Sequence, residues 1–275
     1  MFLDLGERKL DLKQPKIMGV LNMTPDSFSD GGKYLSLDDA FSACVKMVKE
    51  GASVIDIGGE STRPGAAEVS SEQQLDRVIP IILKVKQNLD TIISIDSGNA
   101  TVIREAAENG AEIVNDVFAL TKKNAINVAS KAHTAVCLMH MKGKPISMQD
   151  KPIYNDLLDE IKTFLDDRVN KCIAAGIKRN SIIIDPGFGF GKTVSDNLIL
   201  LKNLYAFSEL KIPICIGLSR KSFIGEVTNR SIDQRVSGSL SAALIAIQNG
   251  ANIIRTHDVG PTKDAIEIYN SLQKA

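Results

Sequence analysis

The chain has 275 residues, 44% of them hydrophobic, with 33 basic and 33 acidic side chains. That is enough apolar material for one large core, and a net charge of zero excludes the basic excess of a nucleic-acid binder. The start, MFLDLGERKLDL, lacks the basic and apolar regions of a signal peptide, and no apolar run approaches the roughly eighteen residues of a membrane span, so a soluble cytoplasmic protein is expected.

In chain order, residues 2–13 read as a small hairpin turning near Gly6. The run IMGVL then stops at Asn22 and hands over to a polar loop, MTPDSFSDGG, which is where sites are commonly built. With this first run at 17–22, further strand-like runs fall at about 54–58, 92–96, 113–117, 135–140, 182–185, 214–219 and 253–257. Several are continuous apolar blocks, such as VIDIG, IISID and SIIID, as expected of parallel strands buried on both faces. Helical periodicity covers 38–50, 72–88 (with Pro80 as a kink point), 99–109, 155–175 and 233–249, and a last helix follows Pro261. Gly51, Gly110, Gly176 and Gly250 stand where helix ends need a left-handed residue. The phrase "helix, Gly-Ala, apolar strand" recurs in EGASVIDIG, NGAEIVNDV and NGANIIRTH. Eight strands alternating with eight helices define an α/β fold, a (β/α)8 TIM barrel formed by residues 1–275 as one domain, with the short N-terminal hairpin covering its N-terminal mouth. An open doubly wound sheet is the alternative, but the first strand lacks the glycine fingerprint that such sheets carry. Cys44, Cys137, Cys172 and Cys215 have no CxxC spacing and read as buried small apolar residues.

In such barrels the active site gathers at the C-terminal ends of the strands. The residues there are Asn22, Asp56, Asp96, Asn115 with Asp116, His140, Asp185, then Ser219, Arg220 and Lys221, and finally Arg255 and His257. Ionisable groups are expensive to bury in strands unless paired or functional, so a ring of them around one mouth points to a site. Asp56 reads equally as a residue orienting Thr62 and Arg63, and His140 equally as a structural histidine. Asn22, Thr62, Arg63, Arg255 and His257 suit an anion such as a phosphate or diphosphate. Asp96, Asn115, Asp185 and Lys221 suit the donor and acceptor edge of a flat heterocycle. The segment DPGFGFGKT is not a phosphate loop, because Pro186 stands where the first glycine is required. Its glycines are expected to let a tight loop pass close to a ligand, with Phe188 or Phe190 as a wall. A Schiff-base role for Lys221 is a further option that neighbouring Arg220 and the carboxylates disfavour.

Taken together, MGVLNMTPDSFSDGG, DIGGESTRPGA, ISIDS, IVNDV, DPGFGFGKT, GLSRKSFIG and RTHDV closely resemble the bacterial dihydropteroate synthases of the pterin-binding barrel family, from about residue 16 to the C-terminus. The resemblance implies condensation of 6-hydroxymethyl-7,8-dihydropterin diphosphate with p-aminobenzoate, giving 7,8-dihydropteroate and diphosphate in folate synthesis. It also implies Mg2+ as cofactor, a homodimer, and sulfonamides as inhibitors. Carried over by residue, it implies that Asp96, Asn115, Asp185 and Lys221 hold the pterin, with Met139 and Phe190 as apolar walls. It assigns Mg2+ to Asn22, and the diphosphate to Asn22, Thr62, Arg63, Arg255 and His257. It assigns p-aminobenzoate to Phe28, Pro64, Phe190, Lys221 and Ser222, with Asp30 in the loop that closes over it. The catalytic set is then Asp96, Asp185, Lys221, Arg255 and His257. Two other readings share the heterocycle slot: a methyltransferase barrel using methyltetrahydrofolate, and a non-catalytic pterin-binding paralogue. The anion cluster and the long DSFSDGG loop disfavour the first, and the intact charged residues disfavour the second.

Overall fold

The structure, a computed structural model, describes residues 1–24, 36–61, 69–143 and 152–275. The chain opens with an antiparallel hairpin, β1 (Phe2–Asp4) and β2 (Lys9–Asp11). Eight parallel strands follow: β3 (Lys16–Asn22), β4 (Val54–Gly58), β5 (Ile92–Asp96), β6 (Ile113–Asp116), β7 (Ala135–Met139), β8 (Ile182–Asp185), β9 (Cys215–Gly217) and β10 (Ile253–Thr256). They pair in the order β8-β7-β6-β5-β4-β3-β10-β9. The ring closes between β8 and β9 through an isolated parallel pairing of Ile184 with Ile214. Ile184 N–H donates to Pro213 C=O there, at 3.0 Å. This is the expected (β/α)8 barrel, and the expected strand positions agree with the observed ones to within about two residues.

Successive side chains on a strand face opposite ways, and that alternation sorts the barrel into layers. The outward Ile55, Ile57, Ile93, Ile95, Ile182 and Ile184 pack with the helices into the main apolar core. The inward Met18, Val54, Ile92, Ile113, Ile183 and Ile253 form a second core at the N-terminal end. Leu3, Leu5, Leu10 and Leu12 of the hairpin complete that core and plug the lower mouth, as expected. Arg8 pins the hairpin: its Nε and Nη2 each donate to Glu112 at 2.6 Å, and Nη2 also to Thr91 C=O at 2.6 Å. One layer further up, the inward positions become polar, beginning with Asp56 and Ser94, which are register partners.

The helices are α1 (Leu37–Lys49), α2 (Ser71–Asn88), α3 (Ala100–Glu108), α4 (Ala125–Lys131), α5 (Leu157–Ala174), α6 (Val194–Lys202), α7 (Ser222–Thr228), α8 (Val236–Gln248) and α9 (Val259–Leu272). Ser36, Ser70, Asn99 and Asp156 cap helix starts through their side-chain oxygens. Gly51, Gly110 and Gly250 turn from helix to strand at φ +104°, +117° and +102°, a region other residues avoid. Helix α2 runs on through Pro80, and Pro261 lies inside the first turn of α9 rather than ahead of it. Helices α4, α6 and α7 have no counterpart in the sequence-based positions. The first and last have seven residues each and no side-chain cap. Helix α6, by contrast, carries a capping box between Thr193 and Asp196 that was readable.

Candidate active site

The polar layer lies at the C-terminal mouth. Gly58 is register partner of Asp96, Asp96 of Asn115, and Met139 of Asp185, so the side chains of Asp96, Asn115, Met139 and Asp185 face the interior. Arg255 enters from β10 and spans two carboxylates. Its Nε donates to Asp56 Oδ2 at 2.6 Å and its Nη2 to Asp96 Oδ2 at 2.7 Å. Asn115 Nδ2 donates to the same Asp56 oxygen at 2.9 Å. Asp56 is fully buried, Asp96 nearly so, and Arg255 retains 23% side-chain exposure. Asp56 thus pairs with Arg255 and Asn115, while Thr62 and Arg63, which the other reading would have it orient, lie outside the described residues.

These partners set the electrostatics. Burial pushes the Asp96 carboxyl up to about 7; the Arg255 guanidinium opposes this, and the Asp56 and Asp116 carboxylates reinforce it. Burial works against the charge on Arg255, but the two carboxylates outweigh it and hold its pKa above the ordinary value. Asp185 is raised by burial, against the pull of the Gly187 N–H, which donates to its Oδ1 at 2.7 Å, and of Lys221. Lys221 is lowered to about 8 by burial and by Arg255, with Asp185 and Asp96 opposing. Its ammonium lies 4.2 Å from the centre of the Phe190 ring, a cation–π contact. A partly neutral carboxyl, carboxylates and a half-buried ammonium thus share one slot, with buried Met139 beside it.

One expectation is corrected. Asp116 follows Asn115 and so faces the other way, and its oxygens accept from the backbone N–H of Phe118 and Leu120, both at 2.8 Å. It shapes a turn. Two glycines of DPGFGFGKT stand against the protein's own backbone, while a Cβ on the third, Gly189, would stand 3.2 Å from the Lys221 side chain of the slot. A Cβ on Gly187 would stand 1.8 Å from His140 C=O, and one on Gly191 2.3 Å from Lys142 C=O. The Arg220 guanidinium forks onto Asp258 at 3.0 and 2.5 Å.

His140 takes the structural role. Its ring packs edge-on against Phe164, and burial, with Lys192 and Lys142 nearby, lowers its pKa to about 3. His257 is exposed beyond β10, with Nδ1 3.0 Å from Ser219 Oγ. Ser222 is the exposed first residue of α7, directly after Lys221. Asn22 ends β3; a Cβ on Gly58 would stand 3.6 Å from Asn22 Oδ1 and 3.7 Å from Asp96 Oδ2. Thr62, Arg63, Pro64, Phe28 and Asp30 lie outside the described residues. Two residues at the site had drawn no attention in the sequence. Buried Gln74 donates to Glu60 and Val69 C=O, and buried Asn197 accepts from Gly189 N–H at 2.8 Å. Both are amides on helices, a placement with no signal in a single sequence.

A (β/α)8 barrel with a buried acid–amide–lysine slot at its C-terminal mouth is the architecture of a pterin-binding enzyme. A family profile described as pterin binding enzyme matches residues 18–257. Dihydropteroate synthase of Haemophilus influenzae is 48% identical over 275 residues, covering 100% of both chains. The crystal structure of Yersinia pestis dihydropteroate synthase with a sulfonamide drug complex superposes with a TM-score of 0.97, at 45% identity and 100% coverage of both chains. The Xanthomonas albilineans enzyme with 4-aminobenzoic acid gives 0.94 at 42% identity, covering 100% of this chain and 98% of that one. The chain belongs to the dihydropteroate synthase family of pterin-binding enzymes, and its activity is that family's transferase activity.

Proposed function

We propose that the mouth of this barrel joins 6-hydroxymethyl-7,8-dihydropterin diphosphate to p-aminobenzoate, with Asp96, Asn115, Asp185 and Lys221 as the pterin contacts and Met139 and Phe190 as its walls. The convergence of these side chains on one buried slot carries the reading, in a chain whose full-length relatives are dihydropteroate synthases. Carboxylates accept from the N–H and amino groups of a pterin edge, and Asn115 offers both a donor and an acceptor. Arg255, His257, Thr62 and Arg63 are assigned to the diphosphate. Lys221, Ser222, Phe190, Phe28 and Pro64 are assigned to p-aminobenzoate, with Asp30 in the closing loop.

The chemistry follows from charge. The C–O bond at the exocyclic methylene breaks, and its electron pair leaves with diphosphate. The electron-rich dihydropterin bears the resulting cation, which the Asp96 and Asp185 carboxylates stabilise. The aryl amine then attacks that carbon and loses a proton. Arg255 is fixed before substrate arrives, by Asp56 and Asp96, so its charge needs no reorganisation.

Asn22 fits a hard cation. Its amide oxygen lies beside Gly58 at the mouth, a hard neutral donor, and Mg2+ commonly takes few protein oxygens together with water and substrate phosphates. Bound there, Mg2+ would neutralise charge on the diphosphate. A homodimer accords with exposed Tyr205, Val227, Ile232 and Ile245 on the segments that follow β8 and β9. A cytoplasmic location accords with four unpaired cysteines, since reducing compartments keep thiols free. Among the described residues no helix is long and apolar enough to cross a membrane.

The test is turnover of purified protein with both substrates and Mg2+, with dihydropteroate and diphosphate followed by mass spectrometry and Arg255→Ala as control. Product that vanishes in the control supports the reading. Pterin binding without product would favour a binding paralogue. Light scattering at one chain mass would remove the dimer.

A further inference from the structure

Lys192 is 3% exposed, although it sits in a loop. Its ammonium has three donors, and they meet three acceptors: Gly187 C=O at 2.9 Å, Phe190 C=O at 3.2 Å and His140 Nδ1 at 3.1 Å. All three acceptors are neutral. A buried ammonium is tolerated only when satisfied in this way. Two of the acceptors belong to the loop that carries Phe190, and the third belongs to the end of β7. His140 is itself held by Phe164, at 5.1 Å between ring centres, and its backbone N–H donates to Asp185 C=O at 2.9 Å. The same loop is gripped from the other side by Asn197, which accepts from Gly189 N–H at 2.8 Å and donates to Lys192 C=O at 3.3 Å. Tyr154 Oη adds a bond to Gly191 C=O at 2.8 Å. The loop's apolar anchor is Phe188, buried in the main core, while its three glycines have positive φ, a backbone that other bonds must fix around Phe190. What these bonds fix is the Phe190 ring under the Lys221 ammonium.

We propose that Lys192 is a positioning residue of the pterin slot, acting through Phe190 by tying the loop after β8 to the end of β7. This rests on the proposed function, in which Phe190 walls the pterin. Lys192 touches no substrate in this arrangement. Its effect passes entirely through where Phe190, and with it Lys221, stands.

A double-mutant cycle tests it, because residues acting through one another are non-additive while independent losses multiply. Calorimetric titration of the dihydropterin diphosphate, with Mg2+, would be run on the wild type, Lys192→Met, Phe190→Ala and the double variant. Lys192→Met is expected to weaken binding about tenfold, and the double variant to bind within about twofold of Phe190→Ala alone. Multiplying effects, or a Lys192→Met protein that binds like the wild type, would overturn the inference. Should Lys192→Met not fold, His140→Phe keeps the packing on Phe164 and removes one acceptor. It is expected to weaken binding about threefold, and to do so only when Phe190 is present. A wild type that fails to bind the pterin would overturn the proposed function together with this inference. Wild-type binding with multiplying effects would overturn the inference alone.

Discussion

Arg255 reaches over two intervening strands to Asp96, its Nη2 lying 2.7 Å from the carboxylate oxygen Oδ2. The same guanidinium holds Asp56, so one side chain organises two buried acids. Arg255→Ala therefore removes a candidate diphosphate contact and the cation that both acids share. Turnover is expected to fall by at least about a hundredfold, the scale of losing one preorganised electrostatic donor. Arg255→Lys is expected to recover little, since a point charge cannot fork to two carboxylates. Steady-state kinetics on the two variants checks both statements.

Asp96 gives a pH dependence of stability with a definite sign. Its carboxyl is raised to about 7 in the folded protein from an ordinary value of 3.8. Between those values the folded state binds more protons than the unfolded state, so this group's contribution is full below about pH 4 and is lost as the pH rises through 7. Relative to Asp96→Asn, the wild type is expected to lose stability over that window, at no more than about 1.4 kcal/mol per pH unit. Urea denaturation of both proteins at several pH values measures the difference. A gain with rising pH would contradict the assignment.

Lys221 sets the opposite limb for activity. With Lys221 lowered to about 8 and Asp96 raised to about 7, kcat/KM is expected to rise toward neutrality as Asp96 ionises and to fall above pH 8 as Lys221 loses its proton. Lys221→Met should abolish the alkaline limb and leave the acid limb in place. A pH–rate profile of the two proteins decides it.

The barrel was legible because its strands are buried on both faces and write apolar blocks, each ending in a polar residue at the mouth. The same burial hid which way neighbouring polar residues face. Asn115 and Asp116 are both polar, and nothing in IVND says that only the first faces the slot, since a strand buried on both sides shows no alternation. The partner of Arg255 was hidden for a different reason. Asp56 and Asp96 come to it through barrel closure, 199 and 159 residues away in sequence. The glycines of the loop after β8 were readable as necessary, but what Gly187 and Gly191 approach is the C=O of His140 and of Lys142, known only once β7 and β8 are neighbours. Short helices such as α4 lacked caps to announce them.

Gly187 and Gly176 separate backbone freedom from close approach. Both have positive φ, +74° and +97°. A Cβ on Gly176 would meet Ser130 Oγ at 3.3 Å, whereas one on Gly187 would strike His140 C=O at 1.8 Å. Gly176→Ala is expected to cost about 1–2 kcal/mol, the left-handed penalty alone, with activity unchanged. Gly187→Ala must displace the loop beside Asp185 and Phe190, and turnover is expected to fall about a hundredfold. Denaturation and kinetics on both variants make the comparison.

The hairpin supplies the converse case, stability without activity. Leu3 is fully buried among Leu5, Leu10, Leu12 and the inward residues at the lower ends of the strands. This core lies below the polar layer that begins with Asp56 and Ser94 and holds the site residues. Leu3→Ala removes buried methyl groups from a packed space, and a loss of about 2–5 kcal/mol is expected. The N-terminal end of such a barrel carries stability and the C-terminal end chemistry, so kcat and both KM values should stay within about twofold of wild type below the melting transition. A fall in kcat at a temperature where the variant is fully folded would mean that the lower core transmits its packing to the mouth. The two layers would then not be separable.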